Sequence, residues 1–143
     1  MVYQISVFLE NKPNRLFDLT QALESAKVNF RAAMIAEVGE FGIIRCIVDN
    51  PDSAFDVLKR KGFTVKKTHV VGVEVRDVPG SLSEIARLLG SNGINILYLY
   101  AFSVAGTNTA YLILKTDDIE RSKEVLDASP GLKILTHEDI SNL

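Results

Sequence analysis

The most constraining feature of this chain is a repeat of itself. When Pro13 is laid on Pro79, an offset of 66, residues 3–49 face residues 69–115 without a gap. Identities fall at Val7/Val73, Pro13/Pro79, Leu16/Leu82, Leu23/Leu89, Ser25/Ser91, Asn29/Asn95, Val38/Val104 and Ile47/Ile113, 8 of 47 positions. The score is low, but each match coincides with the same change of local pattern in both halves, and a self-similar period of this length marks a repeated structural unit. The 143 residues therefore read as two domains, 1–69 and 70–143.

Each half opens with alternating apolar residues, Ile5, Val7, Leu9 and then Val71, Val73, Val75, the period of a half-buried strand. A turn follows at Asn11-Lys12-Pro13-Asn14 or Asp77-Val78-Pro79-Gly80. Helical spacing comes next, with apolar stripes at Leu16, Leu19, Leu23, Ala26 and at Leu82, Ile85, Leu88, Leu89. Ser81 and Glu84 have the spacing of a capping box. A second strand after Val28-Asn29-Phe30 or Ile94-Asn95-Ile96 turns at Gly39-Glu40 or Ala105–Asn108 into a third, Ile43–Val48 or Ala110–Leu114. Asp52 and Asp117 are candidate caps for second helices, and residues 64–67 and 132–135 read as fourth strands, about three residues out of register.

The order is βαββαβ, twice: an α+β chain of two ferredoxin-like units, each an antiparallel sheet with both helices on one face. Ile44, Cys46, Val48 and Ala110, Leu112, Leu114 are expected to face the helices, leaving Ile43, Arg45, Ile47, Tyr111 and Ile113 opposite. Apolar residues on both faces imply that the second face is covered too, by the other repeat or by another chain.

Composition narrows the function. Lys+Arg at 16 against Asp+Glu at 18 gives a net charge of −2, without the basic excess of a nucleic-acid binder. No apolar run reaches the roughly 18–20 residues of a membrane span. One Cys forms no internal disulfide, and the N-terminus carries no basic, cleavable leader, so a cytoplasmic protein is expected. His69, His137 and Cys46 are too few for a structural zinc site, and no nucleophile–base pair, phosphate loop or metal cluster points to an enzyme.

The segment Asp77-Val78-Pro79-Gly80-Ser81-Leu82, with Gly93-Ile94-Asn95-Ile96 beyond the helix, resembles the ACT domain, a βαββαβ module that binds amino acids and regulates metabolic enzymes. Asn11-Lys12-Pro13-Asn14-Arg15-Leu16 and Lys27-Val28-Asn29-Phe30 are a looser copy. The resemblance implies a stand-alone tandem ACT protein that binds a free amino acid where ACT units meet, works as a homodimer or higher oligomer, and acts in trans on a metabolic enzyme without cofactor or metal. The slot suits that role: a helix N-terminus offers unpaired N–H groups to a carboxylate, Gly80 admits close approach, and Asp77, or Asn11 more weakly, can accept from an ammonium group.

On this resemblance the ligand-binding candidates are Asn11, Pro13, Asn14, Arg15 and Leu16 with Asn29, and Asp77, Val78, Pro79, Gly80, Ser81 and Leu82 with Asn95 and Ile96. Asn14 for Gly80 and Arg15 for Ser81 make the first loop bulkier and more basic, so that Arg15 either supplies a cation to a ligand or marks a site that only packs. Plainer readings stand alongside. Asp-x-Pro-Gly is also an ordinary turn, Cys46 reads as a small core residue, and the row Tyr98, Tyr100, Phe102 reads as packing or as a pocket wall. The alternative function is a ligand-free assembly module on the same fold.

Overall fold

The computed structural model describes residues 1–143. The chain runs β1 (Val2–Glu10), α1 (Arg15–Ser25), β2 (Phe30–Val38), β3 (Phe41–Val48), α2 (Pro51–Arg60), β4 (Thr64–Arg76), α3 (Ser81–Ser91), β5 (Ile96–Ser103), β6 (Thr109–Thr116), α4 (Ile119–Asp127), β7 (Lys133–Leu135) and α5 (His137–Ser141). It divides into two compact units, Tyr3–Thr68 and His69–Leu143, the second also holding Met1 and Val2. The two expected strands at 64–67 and 71–76 are one strand, β4, because nothing between Lys67 and Val71 interrupts the extended run.

In the first unit β1 lies between β3 and β4, and β3 carries β2 on its other side. Pairing is antiparallel, with Ile5 opposite Cys46 and Ile35 opposite Ile44. Ile5, Val7, Leu9, Ile44, Cys46 and Val48 close one core with Leu19, Ala22 and Leu23 of α1 and Ala54, Val57 and Leu58 of α2. Alternation along the strands turns these side chains to one face, and helical spacing gives the helices a stripe to set against it. Ile47, whose side chain points the opposite way, is buried as well.

The second unit repeats the plan. β4 lies between β6 and β7, with β5 outside β6. Val71, Val73, Val75, Leu112 and Leu114 pack with Ile85, Leu89 and Leu126, while Ala110 is partly buried against them. The repeat extends to backbone conformation: Asn14 (φ 72°) and Gly80 (φ 94°), then Lys27 (φ 57°) and Gly93 (φ 71°), are left-handed pairs at the offset of 66.

The other face of the second sheet is covered partly by the unit's own ends. A Cβ on Gly72 would lie 3.2 Å from Leu135 Cβ, 3.2 Å from Val2 Cγ2 and 3.3 Å from Ile140 Cδ1. Helix α5 is thus an addition that alternation and the repeat do not announce. Its start is a capping box, with Thr136 Oγ1 accepting from Asp139 N at 3.1 Å and Asp139 Oδ2 accepting from Thr136 N at 2.8 Å. Met1 and Val2, which the reading 1–69 assigns to the first domain, pack here instead.

Four local expectations are corrected. Gly80, not Ser81, is the cap residue of α3, and Ser81 Oγ donates to the Arg76 carbonyl at 2.6 Å, so no capping box forms with Glu84. Asn50 caps α2 by accepting from Ser53 N at 3.1 Å, leaving Asp52 to pair with Lys67. Asp118 caps α4 from Arg121 N at 3.0 Å, so the cap lies one residue beyond Asp117. Leu16 and Leu82, placed in the apolar stripes, are 43% and 46% exposed, because the first helical turn overhangs the core.

Candidate functional site

The loops before α1 and α3 are built alike. Asn11 N donates to Glu40 O at 2.9 Å and Asp77 N to Asn108 O at 2.8 Å, tying each loop to the hairpin turn of its own unit. Lys12 N to Glu10 O and Val78 N to Arg76 O tighten both turns at 2.8 and 3.0 Å. Asp18 N to Asn14 O and Glu84 N to Gly80 O then open the helices, each at 2.9 Å.

Neither α1 nor α3 has a side-chain cap, whereas α2, α4 and α5 are capped by Asn50, Asp118 and Thr136. Only the two helices that follow the candidate loops present a first turn whose amides no side chain answers, the arrangement that receives a carboxylate. A Cβ at Gly80 would meet nothing within 4 Å, so glycine is required by its left-handed φ of 94° and not by crowding. The same conformation explains Asn14: asparagine is one of the few other residues that take it readily.

In the second unit Val78, Pro79, Gly80 and Ser81 line a cavity of about 330 Å³ with Val75, Arg76, Glu84 and the turn Pro130-Gly131-Leu132. Glu84 and Arg76 place an anion and a cation beside the uncapped helix start. Asp77 and Leu82 do not line it; both are exposed. Arg76, Glu84 as a lining group, and the wall at 130–132 lie outside the residues that the sequence motif marks. The wall lies some fifty residues along the chain, and its signal, Pro-Gly after the second helix, is shared with any turn.

The first unit has a corresponding groove of about 540 Å³, lined by Arg15, Asp18, Gln21, Ala22, Ser25, Lys61 and Phe63. Asp18 stands at the repeat position of Glu84 and Arg15 at that of Ser81. Here the acid is already engaged, since Arg15 Nη1 lies 3.2 Å from Asp18 Oδ2 and the Arg15 guanidinium sits 5.3 Å from the centre of the Phe63 ring. Asn11 lines a separate cavity with Glu10, Lys12, Gly39, Glu40 and Phe41, where Lys12, 2.8 Å from Glu10, holds that carboxyl below its ordinary value. Leu16 borders an apolar groove toward β2, and Pro13 and Asn14 line none of these cavities.

Asn29, Asn95 and Ile96 line neither loop cavity. The two asparagines fix the chain elsewhere: Asn29 N donates to Asp49 Oδ1 and Asn95 N to Asp117 Oδ1, each at 3.0 Å. Cys46 is fully buried, with Sγ 3.5 Å from Ile5 O, and burial pushes its thiol up to about 12. It is a core residue. Phe102 stacks on Tyr111 with ring centroids 5.2 Å apart.

Two duplicated loops, each opening an uncapped helix in a βαββαβ unit, are now in place, and the family model for an ACT domain pair matches residues 1–143. The chain belongs to the ACT domain family. It is similar to protein BT0572 from Bacteroides thetaiotaomicron, with 36% identity and a TM-score of 0.92 over 99% of this chain and 96% of that one. The regulatory subunit of aspartate kinase from Thermus thermophilus shares the fold at 14% identity, with a TM-score of 0.65 over 88% of this chain and 91% of that one. The corresponding subunit from Thermus flavus has 13% identity and a TM-score of 0.60, over 86% and 88% of the two chains. Comparison with curated protein sequences gives no match. This ACT pair thus has the fold of regulatory subunits, and no catalytic family is indicated. No helix of the ACT pair is long and apolar enough to cross a membrane.

Proposed function

We propose that this ACT pair is a non-enzymatic, cytoplasmic regulator that binds a free amino acid and acts in trans on a metabolic enzyme or other partner. The observation that carries the reading is the uncapped start of α3 at Gly80, opening on a cavity that also holds Glu84 and Arg76. The amides of Leu82 and Ser83 take the ligand carboxylate, and Glu84 or the nearby Asp77 accepts from its ammonium group. The ligand seals the loop against a further ACT unit, and the partner reads the arrangement so selected, by no more than the ligand's differential affinity for the two states. Solved structures of aspartate kinase regulatory subunits with this fold support a regulatory role. The first loop is assigned to packing, because Arg15 already neutralises Asp18.

The test is a thermal-shift screen of the twenty amino acids. A ligand at about 100 times its Kd adds about 2.7 kcal/mol, or about 5–10 °C for a chain of this size. Loss of that shift in Glu84→Gln supports the assignment, and a screen in which no amino acid moves the midpoint refutes it.

A second reading, a ligand-free assembly module, is favoured by the exposed Leu16, Phe17 and Ile35 on the first unit.

A further inference from the structure

The grooves of the two units occupy the same place in the repeat. Gly62 (φ 86°) and Gly131 (φ 82°) both turn the chain left-handed after the second helix of their unit, so Lys61-Gly62-Phe63 corresponds to Pro130-Gly131-Leu132. Each groove lies between that turn and the first helix of its unit. Their chemistry differs. Arg15 stands where the second unit has Ser81, Lys61 where it has Pro130, and Phe63 where it has Leu132, while an acid is present in both as Asp18 or Glu84. At these positions the first groove carries two cations and an aromatic ring that the second does not.

The cations are placed to receive. The Arg15 guanidinium sits 5.3 Å from the centre of the Phe63 ring, and its Nη1 lies 3.2 Å from Asp18 Oδ2. The other edge of the fork is left over: Nε is buried without a hydrogen-bond partner, and Nη2 makes no hydrogen bond. A guanidinium edge of this kind matches two oxygens of one oxyanion. The Arg15 side chain is 36% exposed, so a tilt on the ring brings that edge to the groove without breaking the contact to Asp18. Lys61, the exposed residue that ends α2, lines the same groove and is in no ion pair. Gln21 and Ser25, one turn apart on α1, add uncharged polar groups.

A free amino acid does not suit these groups. Its ammonium group would meet Lys61, and the acid that could answer it, Asp18, is already held by Arg15. We infer that the first groove is an anion site: it takes the carboxylate or phosphate end of a small metabolite that carries no ammonium group, held by the Nε–Nη2 edge of Arg15 and by Lys61 Nζ. The loop before α1 still packs, and the groove lies beyond it along the helix. The two repeats then receive different classes of ligand, a zwitterion at the start of α3 and an anion beside α1. This site uses none of the groups assigned to the amino acid, so either assignment can fail alone.

The experiment is an amide-resolved NMR titration of the ¹⁵N-labelled full chain with sodium phosphate and, separately, sodium succinate, with sodium chloride holding ionic strength constant. At least one of the two is expected to shift the amides of Arg15, Asp18, Ala22, Lys61 and Phe63 along a saturating curve, and the tighter of them identifies the head group as phosphate or carboxylate. Arg15→Gln and Lys61→Gln are each expected to weaken that binding about tenfold. Lys59→Gln removes an equal charge two residues along the same helix but outside the groove, and is expected to leave binding within about twofold. Circular dichroism melts check that each variant is folded; should Arg15→Gln fail to fold, Lys61→Gln, at an exposed position, decides. The proposal is overturned by shifts no larger than sodium chloride alone gives, by shifts confined to other residues, by Arg15 and Lys61 variants that bind like wild type, or by an equal loss in Lys59→Gln.

Discussion

Asn29 and Asp49 hold each other at two points: Asn29 N donates to Asp49 Oδ1 at 3.0 Å, and Asp49 N donates to Asn29 O at 3.1 Å. Asn95 and Asp117 repeat the clasp at the same two distances. The strand entry after the first helix of each unit is thereby locked to the exit from its third strand. Asp49→Ala and Asp117→Ala should each cost about 1 kcal/mol, measured as a lower midpoint in urea with unchanged slope. Asn29→Ala and Asn95→Ala should be milder, because the asparagines contribute backbone groups to the clasp.

The left-handed pair Asn14 and Gly80 gives a second expectation. Gly80→Ala fills empty space yet should lose about 1–2 kcal/mol, because φ there is 94°. Asn14→Gly should be neutral or slightly stabilising. A loss at Asn14→Gly as large as that at Gly80→Ala in thermal melting would contradict backbone conformation as what governs these caps.

Packing at Gly72 gives a third. Ile140→Ala removes a fully buried side chain and should cost about 2–5 kcal/mol. Gly72→Ala overpacks the same point, where a Cβ falls 3.3 Å from Ile140 Cδ1, and should cost about 1–3 kcal/mol. Combined, the two should cost less than their sum, since the smaller side chain makes room for the added methyl.

The cap of α5 sets a pH dependence. The backbone N–H and hydroxyl of Thr136 hold the Asp139 carboxyl below its ordinary value of 3.8. A depressed folded value means that the contribution is fully present above 3.8 and is lost as pH falls through the folded value. Asp139→Asn should therefore flatten the stability profile below pH 4 while changing the shape near neutrality little, as chemical denaturation at stepped pH will read.

Much of the fold was legible because both periods are written plainly. Ile5, Val7 and Leu9 alternate, Leu19 and Leu23 recur at helical spacing, and the copy at offset 66 repeats both. Caps were less legible: Asp52, Asp117 and Ser81 are each good capping residues, but the cap is the last residue before helical backbone begins, here Asn50, Asp118 and Gly80. Helix α5 escaped because it lies outside the repeat, although Thr136-x-x-Asp139 is a readable start. At the candidate site the turn was visible and its surroundings were not. Pro130, Gly131 and Leu132 reach the cavity only through the pairing of β7 with β4. The sequence leaves Arg15 open between a ligand cation and packing, because Phe63, beneath its guanidinium, lies 48 residues away along the chain.

The central claim is that a free amino acid binds at the start of α3. An amide-resolved NMR titration of the ¹⁵N-labelled chain with the twenty amino acids tests it most directly, because it reports occupancy and place together. At least one amino acid is expected to shift the amides of Gly80 to Glu84 and of Gly131 and Leu132, and to leave those of Asn14 to Asp18 unmoved. Saturating titrations that shift no amide, or shifts confined to the first loop, would contradict it.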